Sequence, residues 1–212
     1  MLSGKLPYHV VVTKNVNGLW AIHQPWVNLV TWRRPVNKRL RASVGQFPKK
    51  FAGTKLINLY GKSSFLQRRV EKLKKKMPWA KPLLQDMIIL TRIFGRLTGN
   101  QRARFGLQIH AIPPKEGAGE FHVDNTKLVM LCAYSYSGVE WLPNAYIACD
   151  KRGCFTLQDG YTRALNRVRR FDVAVVKGTA YSGNKMHALP HRSPSNRKNR
   201  RHRLLGALYS YK

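Results

Sequence analysis

The stretch Phe121-His122-Val123-Asp124-Asn125 places an imidazole and a carboxylate two residues apart, shortly before a strongly apolar run. On a β-strand, residues i and i+2 point to the same face, so His122 and Asp124 would lie side by side while Val123 points away. An Fe(II) ion in a 2-His-1-carboxylate site takes one imidazole and one carboxylate from such a pair, and it needs a second imidazole from elsewhere. The stretch therefore predicts part of a metal site carried by a strand.

The second imidazole is predicted to be His191, in the segment Leu189-Pro190-His191-Arg192-Ser193-Pro194. His187 in the same region is the competing donor. Fe(II) is the expected ion, and zinc, which accepts similar ligands, is the alternative. In a second interpretation the protein binds no metal here, and His122 and Asp124 form a hydrogen-bonded pair that has only a structural role.

Length and composition are those of a single globular domain. The chain has 212 residues, of which 43% are hydrophobic, enough for one core. It has no apolar run of about 18 residues and no apolar core near its N-terminus, so we predict neither a transmembrane helix nor a secretory signal and expect a cytoplasmic protein. Cys132, Cys149 and Cys154 form no C-x-x-C pair and are expected to be free thiols.

Charge is the most unusual bulk property, because 39 Lys and Arg residues against 9 acids give a net charge of +30. Only Glu71 and Asp86 are acidic among the first 115 residues. Such a protein attracts polyanions, so we predict contact with nucleic acid, the ribosome or anionic lipid; the alternative is a basic surface exposed only to solvent. The predicted contact residues are Arg68, Arg69, Lys72, Lys75, Lys76, Arg197 and Arg200.

The N-terminal half is predicted to hold strands followed by two helices. Residues rich in β-branched side chains or with alternating polarity predict strands at 8–13 and 26–32. Apolar residues at helical spacing predict a helix over 65–77, stopped by a proline, and a second one over 82–99. The basic residues 39–51 carry no pattern that predicts an element.

From residue 102 the pattern changes to short strands separated by turns. Such a run suggests a sandwich or barrel, so we predict an α+β fold with a double-stranded β-helix, or jelly roll, over 101–212. The two helices of 61–100 would pack on it, and the strands and basic segment of 1–60 would complete one domain. The predicted strands are 105–111, 128–134, 145–149, 154–156, 170–178 and 203–209, with a loop over 185–203.

The chain resembles an uncharacterised, mainly bacterial family known as domain of unknown function 1826. The resemblance spans most of the sequence and is carried by the blocks 27–35, 97–99, 121–125, 140–143, 177–178, 191–194 and 203–205. It implies no activity. The arrangement of the histidines and the aspartate is also similar, in spacing only, to the wider iron- and 2-oxoglutarate-dependent oxygenases.

The similarity to those oxygenases implies 2-oxoglutarate as cosubstrate and hydroxylation or demethylation of a substrate that the sequence does not identify. It also implies an arginine beyond the second histidine, whose fork pairs with a carboxylate through two hydrogen bonds. Arg203 is preferred because it opens an apolar strand, whereas Arg201 belongs to a basic run. Glu140 either accepts a hydrogen bond from a ligating imidazole or pairs with an arginine. No G-x-S-x-G, P-loop or Rossmann pattern is present, which argues against serine hydrolases and nucleotide enzymes.

Overall fold

The computed structural model describes residues 9–50, 57–99, 105–112, 118–149, 155–185, 187–195 and 203–210. They form an α+β architecture with one helical layer, one large sheet and two small sheets. The α-helices are α1 (Lys38–Lys50), α2 (Ser63–Lys76) and α3 (Lys81–Leu97), and the 3-10 helices are Val16–His23, Pro78–Ala80, Asn144–Tyr146 and Tyr161–Ala164. The strands, numbered along the chain, are β1 (Val10–Thr13), β2 (Leu29–Trp32), β3 (Ile57–Gly61), β4 (Phe105–Ile112), β5 (Leu128–Ala133), β6 (Glu140–Trp141), β7 (Ile147–Cys149), β8 (Phe155–Leu157), β9 (Asn166–Arg167), β10 (Val173–Lys177), β11 (His191–Arg192) and β12 (Arg203–Ser210).

The large sheet has seven strands in the order β1-β2-β10-β5-β12-β4-β3. Neighbours run antiparallel except β1 and β2, which are parallel. The central strands β5 and β10 are apolar along nearly their whole length and buried throughout, because both faces of the sheet are covered.

The helices cover one face of the large sheet. Leu66 and Val70 of α2, spaced i and i+4, join Phe94 of α3 in a core that also contains Val173 and Val175 of β10. None of the described helices is both long and apolar enough to cross a bilayer.

The other face of the large sheet is covered by a small sheet in the order β11-β6-β9. Ala174 and Val176, which alternate with the helix-facing residues of β10, pack in a second core with Trp141 of β6 and Val168, which follows β9. This interior between the two sheets is the side on which the candidate site lies. Strands β7 and β8 form a separate hairpin.

The structure differs from the sequence-based expectation in its helices and shortest strands. Helices α2 and α3 occupy the two stretches predicted to be helical, but α1 adds a third helix over residues for which none was predicted. Among the α1 residues with described side chains (38–46), Leu40 and Val44 are the hydrophobic residues buried in the core, too few to give a clear apolar period. Strand β11 lies inside the segment predicted to be a loop, because a two-residue strand is too short to show alternation.

Candidate metal centre

Two backbone hydrogen bonds bring the distant histidines together. The His122 N–H donates to the His191 carbonyl and the His191 N–H donates to the His122 carbonyl, each at 3.0 Å. Residues paired in this way project their side chains to the same face, and the two ring centroids lie 4.7 Å apart. Asp124 Oδ2 lies 3.1 Å from His191 Nε2. One donor atom from each of the three residues falls within 4.8 Å of the others, so the structure brings together the three predicted ligands.

Hydrogen bonds fix the tautomer of both rings. His122 Nδ1 lies 3.0 Å from the Glu120 carbonyl, and His191 Nδ1 lies 3.1 Å from the Leu189 carbonyl. Because a carbonyl oxygen can only accept, each Nδ1 carries a hydrogen and donates it, which leaves a lone pair on Nε2 of the neutral ring. Metal-ligating histidines are oriented in the same way in proteins.

The carboxylate of Asp124 completes a set of converging acceptors. Its Oδ2 is buried, and among the described residues no hydrogen-bond donor is aligned with it. His191 Nε2 lies 3.1 Å from this oxygen, so a metal ion bound by both atoms would satisfy it, as would a hydrogen on Nε2. Burial alone would raise the pKa of the Asp124 carboxyl, but the contact with His191 and the nearby His122 ring hold that pKa below its usual value.

The end of β10 holds the loop that carries Asp124. The Thr179 N–H donates to the Asp124 carbonyl at 2.8 Å, and the Gly178 N–H donates to the Lys127 carbonyl at 3.1 Å. A Cβ atom on Gly178 would overlap the carbonyl oxygens of Asp124 and Thr126. The close approach that positions Asp124 is therefore open only to glycine at position 178.

Glu140 pairs with two arginines across the small sheet. The register places Arg192, Glu140 and Arg167 in one row across β11, β6 and β9. Arg192 Nε and Arg167 Nε donate to its two carboxylate oxygens at 2.7 Å each. The two imidazoles donate to backbone carbonyls and not to Glu140. Of the two predicted roles, Glu140 therefore has the salt bridge to arginine, and through Arg192 it holds β11, the strand that carries His191.

Glu140→Gln is expected to lower the free energy of unfolding by about 2 kcal/mol and to weaken metal binding by about tenfold, because the charged hydrogen bonds from Arg192 of β11 and Arg167 of β9 lose their anionic acceptor. Urea unfolding and metal titration would measure the two effects. The control is Arg167→Gln, whose side chain is 59% exposed against 2% for Glu140, and which should change either quantity little. Equal effects of the two substitutions would contradict a positioning role for Glu140.

Arg203 points into the interior between the two sheets. It shares its face of β12 with Ala207 and Tyr209, which pack in the core on that side. The guanidinium is buried and donates to Ser193 Oγ at 3.2 Å and to the Pro194 carbonyl at 3.4 Å. It therefore lies beside the segment that follows His191.

The other predicted residues lie away from this cluster or outside the described residues. His187 is exposed and is not among the three clustered ligands. Cys132 is a buried free thiol whose pKa burial raises to about 12. The described part of the structure does not include Cys154, Arg201 or the side chain of Cys149.

The residues of α2 predicted to contact nucleic acid lie on the far side of the large sheet from the metal cluster. Those on α2 are exposed, and α2 belongs to the helical layer, whereas the cluster faces the other side of the large sheet. A polyanion held along α2 would therefore not meet the metal cluster. The α2 residues are Arg68, Arg69, Lys72, Lys75 and Lys76; the two loop residues, Arg197 and Arg200, lie outside the described residues.

Several solved structures are similar to this chain at low sequence identity. The dioxygenase for auxin oxidation 1 from Arabidopsis thaliana, solved with 2-oxoglutarate, is 12% identical, with 94% of this chain and 91% of that chain covered and a TM-score of 0.47. The dioxygenase for auxin oxidation from rice is also 12% identical, with 94% and 81% covered and a TM-score of 0.48. The non-haem α-ketoglutarate-dependent carbocyclase SnoK from nogalamycin biosynthesis is 14% identical, with 87% and 79% covered and a TM-score of 0.46.

A search of curated protein sequences gives no match to this chain. The model of the family described as protein of unknown function DUF1826 matches residues 13–208, which includes both histidines and the aspartate of the cluster. The chain therefore belongs to the DUF1826 family.

Proposed function

We propose that this protein is a non-haem Fe(II)- and 2-oxoglutarate-dependent oxygenase whose iron is held by His122, Asp124 and His191. The observation that carries the proposal is the convergence of one ligand atom from each of the three residues within 4.8 Å, with both Nδ1 atoms bonded to backbone carbonyls so that each Nε2 is the ring nitrogen available to a metal.

The spacing of the donor atoms fits a metal ion of this class. Ligands about 2.1 Å from a metal lie about 3 Å apart when they occupy adjacent octahedral positions, and His191 Nε2 and Asp124 Oδ2 are separated by 3.1 Å. Among the described residues the cluster contains three ligands and no fourth. Three ligands with further positions open favour a non-haem iron centre over a structural zinc site, which closes with four.

The strand order supports a double-stranded β-helix around this centre. From β4 onward, β4, β5, β10 and β12 join the large sheet, whereas β6, β9 and β11 form the small one, and a single bridge joins His122 to His191 at the β11 edge of the small sheet. The segment of the early His-x-Asp then lies beside the late histidine of β11, the arrangement that the sequence-based hypothesis expects of a double-stranded β-helix.

Each residue of the site has a distinct role in this proposal. The two imidazoles and the Asp124 carboxylate hold the iron, which when bound would supply the activation of dioxygen. Arg203 would bind the far carboxylate of 2-oxoglutarate, because its fork is buried and faces the same interior as the metal ligands. Apolar residues of the interior core limit the access of water to this side of the site. The reaction would be a hydroxylation or demethylation.

Metal binding tests the site directly. Anaerobic titration should give one Fe(II) per chain, and His191→Ala and Asp124→Ala should weaken binding at least 100-fold, because each removes a ligand. His187→Ala is the matched control, since it deletes the competing imidazole outside the cluster, and it should bind as the wild type does. Retention of Fe(II) by His191→Ala would exclude the site.

Consumption of 2-oxoglutarate tests the reaction class. With ascorbate as the reductant in place of the unidentified substrate, the Fe(II)-loaded protein should convert 2-oxoglutarate and oxygen to succinate and carbon dioxide. Arg203→Lys should raise the KM for 2-oxoglutarate at unchanged iron stoichiometry, because lysine keeps the charge but lacks the fork. Zinc is the competing ion. If the protein binds zinc tightly and the iron-loaded protein shows no turnover of 2-oxoglutarate, the residues form a metal site but the protein is not an oxygenase.

A further inference from the structure

A cavity separate from the metal cluster lies between the edge of the large sheet and the end of the small sheet. It encloses about 120 Å³. Val10 and Val12 of β1, Trp141 of β6 and Val168 form its apolar walls. Trp141 is the strand partner of His191, so the cavity begins one strand beyond the metal cluster and is distinct from it.

Asp172 gives this cavity a polar group with an unmet hydrogen bond. Its side chain lines the cavity and the residue is only 7% exposed. Oδ2 is buried and has no hydrogen-bond donor among the described residues. Burial raises the pKa of the carboxyl, although Arg33, Arg169 and Arg34 act in the opposite direction. A buried acceptor of this kind costs free energy until a donor reaches it, so the cavity suits a group that presents N–H.

Four arginines surround the segment that carries Asp172, and we call Arg33, Arg41, Arg169 and Arg170 the arginine rim. Arg33 and Arg169 line the cavity mouth, and all four residues are exposed. Arg41 and Arg170 both stack on Phe171, with guanidinium carbons 5.1 Å and 4.5 Å from the ring centroid. Burial and then the charge of Arg41 lower the pKa of Arg170. Like charges held this close together attract anions.

We propose that the arginine rim binds the phosphates of a single-stranded nucleic acid and that the adjoining cavity takes one of its bases, whose amino group donates to Asp172. Several guanidiniums spread along one edge match a chain of phosphates better than one small anion, and the net charge of +30 favours a polyanion. The apolar walls and the indole of Trp141 suit a flat ring. A duplex is excluded because its bases are paired and stacked and cannot enter the cavity.

This site does not depend on the proposed oxygenase function, and its position differs from that of the basic face of α2. Binding can therefore be measured on the 212-residue chain without added metal. The probes are fluorescein-labelled oligocytidine and oligouridine of about twelve nucleotides, together with a duplex of the same length, followed by fluorescence anisotropy at several salt concentrations.

The double substitution Arg33→Gln/Arg169→Gln should weaken oligocytidine binding at least tenfold and flatten its salt dependence by about 0.7 in slope for each lost phosphate contact. The matched control is Arg92→Gln/Arg96→Gln on α3, which removes the same charge from exposed positions outside the predicted contact residues. It should change the affinity less than about twofold at the same salt concentration. Both pairs are exposed, so the comparison does not depend on a damaged core.

The substitution Asp172→Asn distinguishes a specific hydrogen bond to a base from a general electrostatic attraction to phosphates. Removing a negative charge would tighten binding of every oligonucleotide if only net charge mattered. The proposed contact predicts that oligocytidine binds more weakly and oligouridine more tightly, because cytosine presents an amino donor where uracil presents a carbonyl acceptor. The ratio of the two affinities should shift at least fivefold, with a thermal melt to check that the variant is folded.

Three results would overturn the proposal. One is an equal loss of affinity in the two charge-matched variants. Another is a parallel gain for both oligonucleotides with Asp172→Asn. The third is a duplex that binds as tightly as the single strand, or no binding of either at about physiological salt.

Discussion

Asp86→Asn is expected to lower the free energy of unfolding by about 3–5 kcal/mol, because it leaves a buried guanidinium without its counterion. Arg34 donates to both carboxylate oxygens of Asp86, at 2.6 Å and 2.8 Å. The two side chains are 6% and 10% exposed, so water does not replace the lost partner. Urea unfolding would measure the change.

The pair belongs to a network that joins α3 to the large sheet. The Tyr134 hydroxyl donates to Asp86 Oδ2 at 2.6 Å, and Arg34 Nε donates to the Phe171 carbonyl at 2.8 Å. Burial and the nearby charge of Asp86 raise the pKa of Tyr134 well above its ordinary value, so the phenol remains a neutral donor. Phe171 has a φ of 67°, a left-handed conformation that costs a bulky residue energy, and the bond from Arg34 helps to hold it.

Two comparisons make this prediction specific. Asp159→Asn removes the same charge from an exposed position and should change stability by less than about 0.5 kcal/mol. The double substitution Arg34→Met/Asp86→Leu should recover part of the loss, because it removes both charges from the interior. A loss below about 1 kcal/mol in Asp86→Asn would mean that water or another group solvates Arg34.

The sequence contained this pair without indicating it. Arg34 lies in one of the blocks that carry the family resemblance, and Asp86 is one of only two acidic residues among the first 115. Each residue could therefore be singled out, but not as the partner of the other. Periodicity describes only local structure, whereas Arg34 lies in the connection after β2 and Asp86 lies on α3, and the two meet through the packing of α3 on the sheet. Nothing in either stretch specifies the partner.

The metal cluster was easier to predict from the sequence because two of its three ligands, His122 and Asp124, are only two residues apart. The i, i+2 spacing of His122 and Asp124 predicts a shared face on an extended chain, and the structure places both beside His191. What the sequence could not provide is the bridge that aligns the two segments. The pairing of His122 with His191 involves single residues, too short for any alternation.

Side-chain roles that depend on register were the least predictable. Glu140 had two interpretations, and only its position in one row with Arg167 and Arg192 shows which groups it contacts. Gly178 appeared as the end of a strand, whereas the structure gives it a packing role against the Asp124 loop. Both facts follow from which strands are neighbours, which is a property of the whole fold.

Gly178→Ala is expected to reduce stability by about 3 kcal/mol and to weaken metal binding at least tenfold. The added methyl group would overlap the backbone carbonyl oxygens of Asp124 and Thr126, and backbone atoms cannot turn aside as a side chain can. The loop that carries Asp124 must then move away from β10, which disturbs the bond from the Thr179 N–H to the Asp124 carbonyl. Displacing one ligand from its position weakens a metal site even when all three ligands remain.

Gly45→Ala is the matched control for this substitution. Gly45 lies in α1 with no atom near the position of the new methyl group, so the same chemical change should stabilise the protein by about 0.5–1 kcal/mol. Metal titration and urea unfolding of both variants separate the effects. If Gly178→Ala unfolds more easily yet binds Fe(II) as tightly as the wild type, the Lys177–Gly178 turn supports the fold alone. A parallel loss of both would identify this turn as the support that sets the position of the Asp124 carboxylate.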